Sequence, residues 1–175
     1  IHKTHNDSSF IPSRILNHEN LSSIEIFRFD KNITTFPNLK DVHVSEATYY
    51  RLYMDDYLPD NLSSIVYLDA DVVCVNNPTN KIFETFEKML QTNKTIGAIT
   101  EIKKDKNSKD LFDNLNMKSD KYFNAGVMFI DFKKWKNQKA NIFLRRLLLE
   151  YFETIKFWDQ DILNSFFDGK YYECS

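Results

Sequence analysis

Several features that assign a chain to a common class of protein are scarce or absent here. The 175 residues contain only two cysteines, Cys74 and Cys174, and neither belongs to a CxxC pair or a metal-ligand pattern. Two free thiols are typical of a reducing cytosol, so the sequence predicts a cytoplasmic location. No apolar run reaches the roughly 18 residues that a membrane-spanning helix needs, and no secretory signal peptide is visible. Internal repeats and low-complexity linkers are also missing, and the length fits one domain.

Charge and short motifs exclude further classes. The net charge is −2, so the chain lacks the basic excess that would indicate nucleic acid as a partner. Two local lysine clusters, at residues 103–106 and 133–136, are typical of solvated surfaces. The four histidines form no close ligand pair. The patterns GxGxxG, GxxxxGKS/T, HExxH and GxSxG are absent, which leaves dinucleotide-binding, P-loop, zincin and serine-hydrolase functions without direct support.

The most informative segment is an apolar run that meets two carboxylates, Ile-Val-Tyr-Leu-Asp-Ala-Asp-Val-Val at residues 65–73. Ile, Val and Tyr favour strands, and a strand that is apolar on both faces is typical of a covered, mostly parallel sheet. Residues two apart in a strand point the same way, so Asp69 and Asp71 can direct both carboxylates at one point. Paired hard oxygens suit a divalent cation such as Mg²⁺ or Mn²⁺. Because Asp is also common at strand ends as a turn former or helix cap, this short motif alone leaves both interpretations open.

Strand-like and helix-like segments alternate along the chain. The predicted strands lie at residues 24–29, 65–73, 95–100 and 122–131. The predicted helices lie at residues 10–20, 45–54, 78–90, 111–117, 143–151 and 157–164. This alternation indicates an α/β sandwich in which helices flank a mainly parallel or mixed sheet.

Three further groups suit a sugar or phosphate ligand, and each also has a structural interpretation. The planar guanidinium of Arg51 suits a phosphate, but it can equally stack on neighbouring tyrosines or pair with Asp55 or Asp56. The Asn-Ala-Gly tripeptide at 124–126 allows close approach to the backbone and offers an amide to a sugar hydroxyl, but it can also be a turn entering a strand. The Asp-Gln-Asp tripeptide at 159–161 places acids in a first helical turn, where capping alone also favours them.

Four segments in one order make the chain resemble the family-8 glycosyltransferases. They are Ser-x-Ala-Thr-Tyr-Tyr-Arg-Leu, Ile-Val-Tyr-Leu-Asp-Ala-Asp-Val-Val, Tyr-Phe-Asn-Ala-Gly-Val-Met and Asp-Gln-Asp-Ile-Leu-Asn, within residues 43–164. The resemblance implies a GT-A fold, a Rossmann-like sandwich with a mixed, mostly parallel sheet. It also implies metal-dependent transfer of a hexose, glucose or galactose, from a UDP-sugar with retention at the anomeric carbon. The implied acceptor is a glycan or a bacterial lipopolysaccharide.

The resemblance also implies roles for residues that match the family's motifs. Asp69 and Asp71 resemble the ligands of a Mn²⁺ or Mg²⁺ ion that holds the donor diphosphate. Arg51 resembles an arginine that contacts the donor. Asn124 and Ala125 resemble the contacts to the donor sugar.

Further resemblances concern the reacting carbon and the acceptor. Asp159 and Gln160 resemble the pair beside that carbon, and with Asp161 they are the candidate catalytic residues. Front-face attack with Gln160 stabilising charge is favoured, whereas a double displacement would use Asp159 or Asp161 as nucleophile. Glu101 falls where the family often has an Asp that contacts the donor sugar. His43 fits a residue on the acceptor side.

Two segments expected from the family have no counterpart. We find neither the N-terminal nucleotide-binding strand nor the C-terminal His-x-x-Gly-x-x-Lys-Pro-Trp motif, and the first residue is Ile1 rather than Met. We therefore expect residues 1–175 to be a single-domain fragment with weak donor binding and little or no activity alone. Any contact with the cytoplasmic face of a membrane is expected through the missing regions.

Two other functions remain open at the level of sequence. One is a Mg²⁺-dependent phosphotransferase that uses Asp69 as nucleophile and Asp71 as acid, although later motifs of that chemistry are not found. The other is a non-catalytic carbohydrate-binding or scaffold domain that keeps the same fold.

Overall fold

The computed structural model describes residues 1, 9, 11–19, 21–31, 36–39 and 45–174. His43, expected on the acceptor side, lies outside the described residues. The α-helices of the described ranges are α1 (Ser13–Leu16), α2 (Thr79–Gln91), α3 (Lys109–Asn114), α4 (Phe132–Asn137), α5 (Ala140–Glu150) and α6 (Trp158–Phe167). A 3₁₀ helix spans Glu46–Asp56, and the strands are β1 (Ser64–Leu68), β2 (Ile96–Lys103), β3 (Lys121–Asp131) and β4 (Tyr172–Glu173).

The four strands form one mixed sheet in the order β1-β3-β2-β4. β3 is antiparallel to both β1 and β2, whereas β2 and β4 are parallel. The α/β architecture with a mixed sheet is therefore confirmed, but the expectation of mostly parallel pairing is wrong. The crossover through α2 leaves β1 and β2 pointing in the same direction with a gap between them. β3 enters that gap in the opposite direction, so both of its ladders are antiparallel.

β1 is an edge strand, although its apolar sequence predicted a strand covered on both faces. Within the described residues it pairs with β3 alone, from Ser64–Asp131 to Leu68–Val127. Its three central residues are partly buried, and Leu68 is 56% exposed. The expectation of full coverage is therefore wrong in this structure, because apolar composition alone does not separate an edge strand from a central one.

The prediction of a strand at residues 24–29 is also wrong. The described stretch 21–31 contains no regular element, only an isolated bridge at Arg28. Phe29 nevertheless enters the core, where its ring stacks on Tyr50 with 3.9 Å between ring centroids. The alternating pattern therefore belongs to an extended segment that buries an aromatic side chain without joining the sheet.

The 3₁₀ helix is part of the core rather than a surface element. It runs for 11 residues, and the six residues 49–54 are all buried. Runs of 3₁₀ helix longer than about four residues are uncommon because their hydrogen bonds are poorly aligned, so tertiary packing must stabilise this one. α6 packs against it and against β3, and Ile162 and Leu163 of α6 are fully buried. This packing brings the start of α6 next to the middle of β3.

No helix within the described ranges combines the length and the hydrophobicity that crossing a bilayer requires.

Candidate functional site

An open cleft of about 680 Å³ lies where the four motif segments meet. Its walls come from the 3₁₀ helix, the end of β1 and the turn after it, the middle of β3 and the start of α6. The motif residues that line it are Ser45, Ala47, Thr48, Arg51, Tyr67, Asp69, Ala70, Asp71, Ala125, Gly126, Asp159 and Gln160. Segments that are far apart in the sequence therefore share one cavity, as a ligand site of this size requires.

Arg51 makes polar contacts to all of the other motif segments and is only 8% exposed. Its Nη1 donates to the carbonyl oxygen of Ala125 at 2.6 Å, and its Nη2 donates to Oδ1 of Asp69 at 2.8 Å. Its Nε lies 2.7 Å from Oδ2 of Asp159, but the N–H is not aligned with that oxygen, so this contact is an ion pair rather than a hydrogen bond. The guanidinium carbon lies 3.8 Å from the centroid of the Tyr67 ring.

The local partners that the sequence offered for Arg51 are engaged elsewhere. Asp56 pairs with Arg145 at 2.9 Å, and Asp55 lies 3.9 Å from the same guanidinium. Arg51 stacks on Tyr67 of β1 instead of a tyrosine of its own helix. In the described part of the chain, Arg51 therefore acts across the fold rather than along its helix.

Asp69 and Asp71 reach the cleft from a turn rather than from a strand. β1 ends at Leu68, and the amide of Val72 donates to the carbonyl oxygen of Asp69 at 3.2 Å. The strand periodicity that predicted two parallel carboxylates therefore does not apply. Both residues line the cleft all the same, and the amide of Asp69 is fixed to the carbonyl oxygen of Gly126 at 2.8 Å.

The chemistry of these two carboxylates fits a divalent cation in part. Oδ1 of Asp69 accepts hydrogen bonds from Arg51 and, at 2.7 Å, from the hydroxyl of Tyr67, whereas Oδ2 accepts none within the described residues. Asp71 is exposed. Among the described side chains, no group of three or more His, Cys, Asp or Glu residues is placed to hold a metal ion. The chain thus offers two carboxylates with hard oxygens, and substrate oxygens and water would have to complete the coordination.

Gly126 allows the close approach of Asp69 to β3. A Cβ at this position would lie 2.9 Å from Oδ2 of Asp69 and 3.0 Å from Oδ1 of Asn124. Asn124 is exposed and is not among the residues that line the cleft, and its Oδ1 accepts from the amide of Gly126 at 2.8 Å. The ladder between β2 and β3 pairs Asn124 with Ile99 and then shifts register, so Ala125 and Gly126 have no partner in the register of that ladder.

The side-chain amide of Gln160 is held at both ends. Its Oε1 accepts from the amide of Ala125 at 2.8 Å, and its Nε2 donates to Oε2 of Glu101 at 3.0 Å. Glu101 is exposed and is not among the residues that line the cleft. Its direct contact in this structure is therefore with Gln160, whose orientation it determines.

Asp159 is buried, with a hydrogen bond at one carboxylate oxygen and an ion pair at the other. Oδ1 accepts from the hydroxyl of Thr48 at 2.5 Å, and Oδ2 faces Arg51. Burial raises the pKa of Asp159 to about 6, although the Arg51 charge and the Thr48 hydrogen bond act in the opposite direction. The carboxylate borders the cleft, but its side chain is only 4% exposed.

Asp161 lies behind the cleft and is fully buried. Its Oδ1 accepts from the Tyr122 hydroxyl at 2.6 Å. Its Oδ2 accepts from the amides of Lys156 and Phe157 at 2.7 and 2.9 Å. Backbone donors at a helix start need such acceptors, so these contacts stabilise the entry to α6.

Three residues of the site have no role assigned from the sequence. Tyr67 and Thr48 each donate to a cleft carboxylate. Asn164 is fully buried and bonds both the amide and the carbonyl oxygen of Phe123, at 2.7 and 2.8 Å, so it ties α6 to β3. Tyr67 could have been found from its position in the strand that leads into the Asp-Ala-Asp segment. Thr48 and Asn164 act on distant residues, and no local pattern predicts those partners.

The backbone at the start of α6 is strained. Trp158 lines the cleft with a φ of 50°, in the left-handed region that bulky residues rarely adopt. Its indole N–H donates to the carbonyl oxygen of Asn38 at 2.8 Å. Such conformations persist where surrounding contacts enforce them, and they cluster at functional sites.

Comparison with known proteins agrees with this geometry. Residues 6–175 match the family described as glycosyl transferase family 8, and the chain belongs to that family. It is 30% identical to the lipopolysaccharide 1,2-glucosyltransferase of Escherichia coli K12, covering 71% of this chain and 36% of that protein. It is 29% identical to the lipopolysaccharide 1,3-galactosyltransferase of Salmonella typhimurium, with 71% and 36% coverage.

The fold is similar to that of a solved relative. The galactosyltransferase LgtC in complex with donor and acceptor sugar analogs superposes with a TM-score of 0.62 at 28% identity. The match covers 76% of this chain and 46% of LgtC. The GT-A fold implied by the motifs is thereby supported, and the chain spans less than half the length of each of these three relatives.

Proposed function

We propose that the protein containing this chain is a metal-dependent, retaining glycosyltransferase. It transfers glucose or galactose from a UDP-sugar to a glycan or lipopolysaccharide acceptor. The observation that carries the proposal is the Arg51 network, which joins Asp69 to Asp159 and, through Ala125, to Gln160. The relatives named above are a lipopolysaccharide glucosyltransferase and galactosyltransferases, which supports this choice of hexose.

Asp69 and Asp71 would hold the cation, Mn²⁺ or Mg²⁺. When bound, such an ion neutralises the charge that develops on a leaving diphosphate. Arg51 adds a fixed positive charge beside the same region of the cleft, and its burial limits screening of that charge by water. The N–H groups of Arg51 already face Asp69, Ala125 and Asp159. Arg51 would therefore assist binding of the UDP-sugar partly by orienting these three groups.

Front-face attack is the route that the carboxylates support best. A double displacement needs a carboxylate that can bond to the anomeric carbon. Asp159 is buried, with Oδ1 bonded to Thr48 and Oδ2 held in the ion pair with Arg51, and Asp161 is fully buried and outside the cleft lining. In front-face attack the acceptor hydroxyl bonds to the anomeric carbon while the bond to the leaving phosphate oxygen breaks. The hydroxyl proton passes to that phosphate, and the Gln160 amide, fixed by Ala125 and Glu101, stabilises charge on the sugar.

A direct test measures UDP release from UDP-glucose and UDP-galactose by the full-length protein, with Mn²⁺ and with a chelator. We expect release with one of the two donors, a loss of at least about 100-fold on chelation and a similar loss in Asp69→Asn. Labelled donor with a lipopolysaccharide acceptor then identifies the product. UDP release that is changed neither by the chelator nor by Asp69→Asn would contradict the proposal.

The phosphotransferase alternative receives less support from the geometry. Oδ1 of Asp69 is bound by Arg51 and Tyr67, so Oδ2 alone would remain both to attack a phosphate and to act on the cation with Asp71. Hydrolysis of phosphomonoesters in place of UDP-sugars would favour it. If the domain only binds carbohydrate, the parent protein should show no turnover. Asp69→Asn should then still bind the sugar.

A further inference from the structure

We infer that Tyr67 is a positioning residue that makes Asp69 a one-oxygen ligand, with Oδ2 presented to the cation and Oδ1 kept for the protein. This inference rests on the proposed function, because it concerns how the proposed cation site is prepared. It assigns a role to Tyr67 that the motif comparison leaves open.

The first observation is the occupancy of Oδ1. Arg51 donates to it at 2.8 Å and the Tyr67 hydroxyl donates to it at 2.7 Å. A carboxylate oxygen has about two lone-pair directions, so these two donors saturate it. Asp69 can therefore offer a cation its other oxygen without disturbing either bond.

The second observation is the space around Oδ2. This oxygen accepts no hydrogen bond within the described residues, and it lies beside Gly126 at a point where a Cβ would come within 2.9 Å. The absence of a side chain at Gly126 thus preserves the room in which Oδ2 lies. Asp71 borders the same cleft, so the two carboxylates can act on one ion.

The third observation is that Tyr67 is itself fixed. It pairs with Met128 in the ladder between β1 and β3, and its ring lies beneath the Arg51 guanidinium at 3.8 Å. A cation–π contact of this kind favours one ring position. The hydroxyl is therefore held by the sheet and by Arg51, and it transmits that order to Asp69. Partners that orient a metal ligand in this way typically change metal affinity by about 10–100-fold when removed.

The test compares Tyr67→Phe with Tyr57→Phe in the full-length protein. Tyr67→Phe keeps the ring under Arg51 and removes only the hydroxyl. Tyr57→Phe removes a hydroxyl that bonds Asp30 outside the cleft, so it is a matched control for loss of a tyrosine hydrogen bond. Mn²⁺ binding is measured by the electron paramagnetic resonance signal of free Mn²⁺, with and without UDP, and folding is checked by thermal denaturation.

We expect the Mn²⁺ dissociation constant to rise about tenfold in Tyr67→Phe and to stay within twofold of the parent in Tyr57→Phe. Equal Mn²⁺ affinity in the parent and Tyr67→Phe would overturn the inference and leave the proposed function intact. A loss of thermal stability in Tyr67→Phe with unchanged affinity would show a structural role only. A parent protein that binds no Mn²⁺ even with UDP would instead refute the proposed cation site, and with it this inference.

Discussion

Arg51 and Asp159 form an ion pair at the base of the cleft, with 2.7 Å between Nε and Oδ2 and with side chains 7% and 4% exposed. Each partner neutralises a charge that burial alone would make costly. The pair also connects the 3₁₀ helix to α6, two elements that are far apart in the sequence. Stability and site geometry therefore depend on the same contact.

Arg51→Met should lower the free energy of unfolding by about 3–5 kcal/mol, because it removes the positive charge that balances the buried Asp159 carboxylate. Adding Asp159→Asn should restore part of that loss, since the unpaired charge is then removed. Urea denaturation of the two single variants and the double variant measures the coupling. A double variant whose loss equals the sum of the two single losses would show that the pair is not coupled.

Gly126→Ala should weaken Mn²⁺-dependent UDP binding, because the added Cβ would lie 2.9 Å from Oδ2 of Asp69 and displace that carboxylate. Gly97→Ala is the matched control, since its Cβ would meet only the flexible side-chain ends of Met89 and Cys174 at 3.0 and 3.3 Å. Isothermal titration with UDP and Mn²⁺ should show a loss of about tenfold for Gly126→Ala alone. Equal affinities in the two variants would count against the close approach of Asp69.

Gln160 and Asp161 should separate catalysis from folding. Gln160→Ala should reduce turnover per folded molecule by about 100-fold, because it removes the amide that faces the cleft, and it should cost about 1–3 kcal/mol of stability, because the buried Ala125 amide loses its acceptor. Asp161→Asn should lower stability by roughly 1–3 kcal/mol and leave turnover per folded molecule near that of the parent, since its oxygens bond Tyr122 and the start of α6. Loss of turnover in a fully folded Asp161→Asn protein would restore Asp161 as a catalytic candidate.

Asp55 should make stability depend on pH. Burial raises the pKa of Asp55 from 3.8 to about 6, with the Arg145 charge acting against that rise. Because the folded-state pKa exceeds the unfolded value, the stability linked to the protonated form is complete below about pH 4 and is lost as pH rises through 6. Asp55→Asn should therefore gain on the order of 2–3 kcal/mol relative to the parent between pH 4 and pH 7.

The control for this pH effect is Asp60→Asn, because the Asp60 side chain is fully exposed. Chemical denaturation at a series of pH values gives the free energy of unfolding for each protein. The curve for Asp60→Asn should run parallel to that of the parent. If the Asp55→Asn curve were also parallel, burial of Asp55 would not control the pH dependence.

The motif segments were predictable because each carries its signal locally. The apolar run before Asp69 forms a strand that is followed by a turn, and the Asp-Gln-Asp tripeptide lies in the first turn of a helix, α6. The antiparallel position of β3 was not predictable, because strand composition does not reveal which gap in a sheet a strand will fill. The edge position of β1 and the irregular path at residues 24–29 escaped prediction for the same reason.

The partners of the site residues depend on contacts between distant segments. The sequence indicated that Arg51 and Asp159 suit a ligand, but it could not show that they bind each other. Nor could it show that Glu101 orients Gln160 or that Asp161 faces Tyr122. Motif order thus predicted that Arg51, Asp69 and Gln160 share one cleft, whereas the position of Glu101 and Asp161 outside its lining required the fold.

Asp69 and Asp71 are proposed to hold a cation that is needed to cleave a UDP-hexose. UDP release by the full-length protein at increasing Mn²⁺, compared among the parent, Asp69→Asn and Asp71→Asn, examines both carboxylates in one assay. We expect saturable, Mn²⁺-dependent release in the parent and a loss of at least about 100-fold in each variant that folds. Release in either variant that equals the parent's, or that is independent of Mn²⁺, would contradict this proposal.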